Sequence, residues 1–152
     1  EYLWRKVRVQ GGAYGAFTRF LLNGNGLLCS YGDPNLAETL EVYKGLPEYL
    51  RTFDVSEREM TKYVIGTMAP AETQYTAAMK GDRAMLHHLC GITHEDRMKI
   101  RQEIIGCSAQ DIRDLADLVE AMMKDPYICV MGNEGKVRDN EGLFGRIISL
   151  PE

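Results

Sequence analysis

The tetrad Asn23-Gly24-Asn25-Gly26 constrains the fold more than any other stretch of this chain. Asparagine and glycine tolerate the positive φ that tight hairpin turns need, so the flanking segments read as two antiparallel strands. Ala13 to Leu22 supplies Tyr14, Phe17 and Phe20, side chains that favour extended backbone, and Leu27 to Tyr31 is the return strand. Upstream, Leu3, Trp4 and Val7 sit at helical spacing. Tyr2 to about Arg8 therefore reads as the last turns of a helix, which Gly11-Gly12 break.

After the hairpin the signals turn helical. Asp33-Pro34 reads as an N-cap with proline at the first helical position, followed by Leu36, Leu40 and Tyr43 on one face. Gly45 and Pro47 are expected to interrupt that helix before Leu50. Ser56 with Glu59, Thr93 with Asp96, and Ser108 with Asp111 carry capping-box spacing. The last opens an amphipathic stripe of Ile112, Leu115, Val119 and Met122. Glu72 to about Leu89 is predicted helical despite Gly81, Tyr127 to Met131 a buried strand, and Arg146 to Leu150 a final strand. A hairpin followed by grouped helices argues for an α+β fold, an antiparallel sheet with several helices packed on one face. With 152 residues, no internal repeat and no linker-like shift in composition, a single domain over residues 1–152 is expected.

The net charge is −4 and no apolar run is long enough to span a bilayer, so neither nucleic acid nor membrane is an expected partner. The four cysteines, Cys29, Cys90, Cys107 and Cys129, form no CxxC pair. They read as buried free thiols in a reducing compartment, such as a bacterial cytoplasm or an organelle matrix. The sequence starts at Glu1 and runs at once into patterned residues with no signal-peptide pattern, which suggests a piece of something longer.

Chemistry-bearing patterns are few. His87 and His88 are adjacent and point roughly 100° apart on a helix. His94-Glu95 lacks a second histidine at the zincin spacing, and no HxxEH occurs, so no metal site is expected in this chain. Gly11-Gly12-Ala13-Tyr14-Gly15 lacks the lysine and spacing of a phosphate cradle and leads into a strand. Tyr14-Gly15-Ala16-Phe17 has only a faint likeness to an RNA-binding strand, with no basic residue in the required register. Cys29 and Cys107 have no histidine nearby in sequence to make a catalytic thiol.

Arg8 and Tyr14 each carry two readings. Arg8 is a surface charge at a helix end, or a fork that donates to a peptide carbonyl. Tyr14 is a half-buried strand aromatic, or a phenol that donates to a developing oxyanion. The glycines between them would let a substrate backbone approach closely.

Val7-Arg8-Val9-Gln10-Gly11-Gly12-Ala13-Tyr14-Gly15 resembles the presequence-protease subgroup of the insulinase, or pitrilysin-like, family. The likeness continues in order through Ser30-Tyr31-Gly32-Asp33-Pro34-Asn35-Leu36, Thr39 to Tyr43, Tyr49-Leu50-Arg51, Val64 to Thr67, Gly91-Ile92-Thr93 and Arg101 to Ile105. It runs from about Leu3 to Val119 and thins over Tyr127 to Leu150.

The resemblance implies four related α+β domains in one chain, of the insulinase and mitochondrial processing peptidase type, arranged as two bowls around a chamber. Zinc, held by HxxEH and a distal glutamate, would lie in the first domain. This chain resembles most of the last domain, an amino-terminally truncated, zinc-free copy. By register, Arg8 would hold the substrate backbone and Tyr14 would stabilise the tetrahedral intermediate. Gly11 and Gly12 would bind substrate between them. One departure stands out: Gly32 replaces the arginine usual in the family's Ser-Tyr-Arg-Asp-Pro turn. The partners implied are peptide substrates and the remaining domains of the parent. The alternative is a catalytically inactive structural or peptide-binding module of the same superfamily.

Overall fold

In the computed structural model, which describes residues 1–21, 24–70 and 73–149, the chain opens on a helical segment, Trp4–Gln10, wound in wide turns. The Gly11 amide donates to the Lys6 carbonyl five residues back at 3.1 Å, the bond of a π-type turn. Gly12 takes φ +79°, which glycine reaches without the Cβ penalty of other residues. That reversal lets Gly12 N–H donate to the Arg8 carbonyl at 2.9 Å and Ala13 N–H to the Val7 carbonyl at 3.1 Å. The helix is thus stopped as a glycine-capped α-helix is, with the last bond one residue wider.

The hairpin forms. Strands β1 (Gly15–Phe20) and β2 (Gly26–Tyr31) pair antiparallel, with Gly15 opposite Tyr31 and Phe20 opposite Gly26. Gly24 sits at φ +87° in the connection, where Leu21 N–H donates to the Asn25 carbonyl at 2.8 Å. Leu22 and Asn23, part of the expected strand and turn, lie outside the described residues.

Helix α1 (Ala37–Lys44) starts later than Asp33-Pro34 suggested. Asp33 is no N-cap: one carboxylate oxygen accepts from the Asn35 amide at 3.0 Å and the other from the Thr39 hydroxyl at 2.8 Å. The side chain closes a local turn that competes with the helix for the same residues. Gly45 then separates α1 from α2 (Leu46–Arg51), as its pairing with Pro47 predicts. A Cβ at Gly45 would lie 2.6 Å from the Tyr2 hydroxyl, which donates to the Val42 carbonyl at 3.0 Å.

Helices α3 (Glu57–Met68), α4 (Ala77–Leu89), α5 (His94–Gly106), α6 (Ala109–Asp114), α7 (Ala116–Lys124) and α8 (Glu134–Arg138) follow, then a short 3₁₀ turn at Glu141–Leu143. The capping boxes at Ser56 and Thr93 are both present, and Ser108 and Asp111 bond reciprocally. The predicted helix from Glu72 starts instead at the Thr76 cap, and Glu72 itself lies outside the described residues. The stripe from Ile112 to Met122 is divided between α6 and α7 at Leu115, which is 42% exposed. Of the stripe Val119 is buried as expected, and its buried neighbour is Ala116.

Two strand expectations fail. Tyr127 to Met131 forms no strand, and Tyr127 and Met131 stand exposed. Residues 146–149 form none either, and Leu150 lies outside the described residues. A run of β-favouring residues becomes a strand only where a sheet edge pairs its backbone. Among the described residues the sheet is the two-stranded β1–β2 ribbon. The fold remains α+β, with an antiparallel sheet and helices. The thiol reading also needs correction: all four cysteines are free, but Cys90 and Cys129 are exposed. Among the described residues no helix is long and apolar enough to cross a membrane.

The chain divides into two compact units. The first combines residues 1–52 with 115–152. Its core is Leu3, Val7, Ala13 and Tyr43, with Ala16, Leu28, Leu40 and Met123 packed around them. Burial raises the Tyr43 phenol above its usual value. Helices α2 and α7 pack together in this unit, joined by Arg51, which pairs with Asp117 at 3.0 Å and with Glu120. The second unit, residues 53–114, holds α3 to α6, and α3 contacts α5. There Arg113 donates to the Phe53 carbonyl at 2.7 Å.

Candidate functional site

The stopped helix and the hairpin entrance bring Arg8 and Tyr14 to one open cleft of about 300 Å³, walled by Trp4, Phe17 and Tyr31 as well. The core explains why. Val7 and Ala13 are buried on either side of the glycine turn, which fixes Arg8 just before it and Tyr14 just after. Arg8 is half-buried while Tyr14 is 71% exposed.

The backbone around Tyr14 is held tightly. Its amide donates to two carbonyls of the other strand's exit, Tyr31 at 3.1 Å and Gly32 at 3.2 Å. Gly32 sits at φ +55°, and a Cβ there would lie 2.8 Å from the Tyr14 Cβ. Glycine at 32 therefore serves both the backbone turn and the close approach of Tyr14. The mirror arrangement holds one register step away, where a Cβ at Gly15 would overlap the Tyr31 ring. The Tyr14 and Tyr31 rings lie 5.3 Å apart and tilted, within the range of favourable aromatic pairs.

Gly11 and Gly12 build the turn rather than the cleft wall. A Cβ at Gly11 would meet the Val7 carbonyl at 2.6 Å, and its own carbonyl accepts from the Asn35 amide group at 2.6 Å. Gly12 stays exposed at its left-handed φ.

The cleft is cationic and aromatic, with no carboxylate in its lining. Arg8 lies over the Trp4 ring, and Arg19 is 5.8 Å from the Phe17 centroid. Such a surface suits electron-rich oxygen: a carbonyl or carboxylate can take the guanidinium's in-plane donors while apolar groups rest on the rings. Elsewhere the arrangement differs. A second open cleft, of about 260 Å³ beside Lys44 and Met123, has its Arg51 fork already committed to carboxylates.

Sequence reasoning placed Arg8 and Tyr14 but missed Trp4, Phe17 and Tyr31. Signals for them existed. Trp4 and Arg8 have i, i+4 spacing on a helix, and counting back from the hairpin turn puts Tyr31 opposite Gly15. His87 and His88 lie in α4, and His94 opens α5 with its Nδ1 3.4 Å from Arg97 Nη2. Among the described residues no three potential ligands gather at a point. Burial raises the Cys107 thiol, the opposite of what an activated nucleophile needs.

Residues 1–133 match the family described as the PreP C-terminal domain. The chain is 45% identical over 150 residues to Protein HypA of Clostridium perfringens, covering 99% of this chain and 15% of that protein. It is 39% identical over 130 residues to Presequence protease 1, chloroplastic/mitochondrial, of Arabidopsis thaliana, covering 85% of this chain and 12% of that protein. With the mitochondrial presequence protease of Emericella nidulans it shares 30% identity over 153 residues, covering 99% and 14% respectively. The chain thus spans between 12% and 15% of the length of these relatives.

Proposed function

This chain belongs to the presequence-protease carboxy-terminal domain family, and from that premise we propose that it is the substrate-binding, active-site-completing last domain of a zinc metalloendopeptidase. The substrates are unstructured peptides degraded inside a closed chamber. Zinc, when bound in the amino-terminal domain of the parent, supplies a Lewis acid and an activated water; this chain carries no part of that site and is inactive alone. A reducing compartment, bacterial cytoplasm or organelle matrix, fits its four free thiols.

The observation that carries this reading is that Arg8 and Tyr14 share one open cleft. In it the Arg8 fork donates to a carbonyl of the bound peptide and holds the backbone in register. The Tyr14 phenol donates to the oxygen that becomes negative as the carbonyl carbon turns tetrahedral. Gly12, exposed and without a side chain, lets the peptide backbone pass the turn closely.

The test is steady-state cleavage of an unstructured peptide by the full-length protein. Tyr14→Phe should lower kcat more than it raises KM, and Arg8→Ala should raise KM. Unchanged kinetics in both variants would remove the assignment.

A further inference from the structure

The Arg8 guanidinium is stacked but not bonded. Its Cζ lies 3.8 Å from the centroid of the Trp4 ring. Among the described residues no carboxylate, carbonyl or hydroxyl accepts from its fork. Three other arginines are committed through their edges. Arg51 pairs with Asp117, Arg113 bonds Phe53 and Gln110, and Arg138 pairs with Glu134. Arg8 alone of these four is held by its face.

We propose that Trp4 is a positioning residue for the cleft: its indole face holds the Arg8 guanidinium flat, leaving the in-plane N–H donors free for a peptide carbonyl. The physical case is one of division. A guanidinium has two surfaces for interaction, a flat π face and an edge of five donors. Occupying the edge would consume the donors that read a carbonyl, whereas occupying the face costs none of them. Indole is the strongest of the aromatic partners for a cation, and at this separation the stack restrains a long side chain that solvent would otherwise disperse over many rotamers. The i, i+4 spacing places both on one side of the opening helix. Trp4 itself is 51% exposed, so it adds little to the core formed by Leu3 and Val7 behind it. Its contribution is to the orientation of Arg8, and it touches no reacting atom.

This inference rests on the reading of Arg8 as a substrate contact, and the experiment separates the two. In the full-length protein, Trp4→Leu, Trp4→Phe, Arg8→Ala and the double variant Trp4→Leu/Arg8→Ala are compared on one unstructured peptide, with kcat and KM resolved. A cation–π contact of ordinary strength predicts that Trp4→Leu raises KM about fivefold with kcat changed by less than about twofold. Trp4→Phe, which keeps a ring face, should recover most of that loss. In the Arg8→Ala background Trp4→Leu should add less than about twofold, because the group it positions is gone. A full fivefold effect of Trp4→Leu in that background would overturn the proposal, as would an unchanged KM in Trp4→Leu beside a raised KM in Arg8→Ala. An Arg8→Ala variant with wild-type kinetics would sink the substrate-contact reading itself. Thermal melts of each variant check the fold; if Trp4→Leu melts early, Trp4→Met, which fills space without a ring face, replaces it in both Arg8 backgrounds with the same outcomes expected.

Discussion

Val7 in the first unit is 1% exposed, and Val119 is 2% exposed. In the second unit α3, α4, α5 and α6 contribute no buried side chain, and Phe53 alone is buried there among the described residues. Leu86, Leu89, Ile65 and Ile105 stand at 57% to 74% exposure. The second unit is instead rich in local devices, with caps at Ser56, Thr76, Thr93 and Ser108. Helices of twelve or thirteen residues are marginal alone in water, so each cap there carries a large share of the order. One unit is specified by what meets across the chain; the other leans more on what meets within three residues, with the α3–α5 contact and the Arg113–Phe53 bond as its long-range ties.

The sharpest way to break this contrast is to remove apolar volume from each unit. Val7→Ala should cost about 2 kcal/mol of stability in denaturant unfolding, through lost burial and the cavity left behind. Leu89→Ala, at 74% exposure, should stay within about 0.5 kcal/mol. Equal costs would end the comparison. Caps should show the reverse preference: Ser56→Ala and Thr93→Ala should each cost about 1 kcal/mol. Hydrogen exchange should show faster opening confined to α3 and α5 respectively.

Acid sharpens the contrast with the smallest expected effect. Hydrogen bonds from the Thr93 and Ser108 side chains, with backbone bonds to the same residues, hold the Asp96 and Asp111 carboxyls below their ordinary value of 3.8. A lowered pKa means stabilisation that is complete above that ordinary value and lost as the pH falls through the folded one. Circular dichroism should therefore show helix loss beginning below about pH 4. Asp96→Asn with Asp111→Asn should remove that part of the pH dependence. In the first unit the comparable carboxyl is Glu134, lowered by its bond from Arg138.

What could be read in advance follows the same division. The hairpin and the Ser56 and Thr93 boxes were legible because turn and cap chemistry acts within a few residues. Asp33 was misassigned because its carboxylate can close a turn or cap a helix, and the Thr39 hydroxyl that tips the balance is six residues on. Tyr127 to Met131 was misread because a strand depends on a neighbour that local pattern does not contain. For the candidate site, residue chemistry singles out Arg8 and Tyr14 with two readings each and a resemblance favours one of them, whereas the Trp4 stack depends on a side-chain orientation that sequence alone leaves open.

Gly32 carries a consequence for how such a cleft changes over generations. Every residue except glycine brings a Cβ, and at position 32 that atom would lie 2.8 Å from the Cβ of residue 14. Substitutions at the two positions are therefore epistatic, whatever their side chains do further out. An arginine at position 32 would require the backbone at the strand entrance to shift, even with Gly-Gly-Ala-Tyr-Gly unaltered. Two sequences identical across that motif can thus differ in how the phenol stands, with the cause written on the far strand.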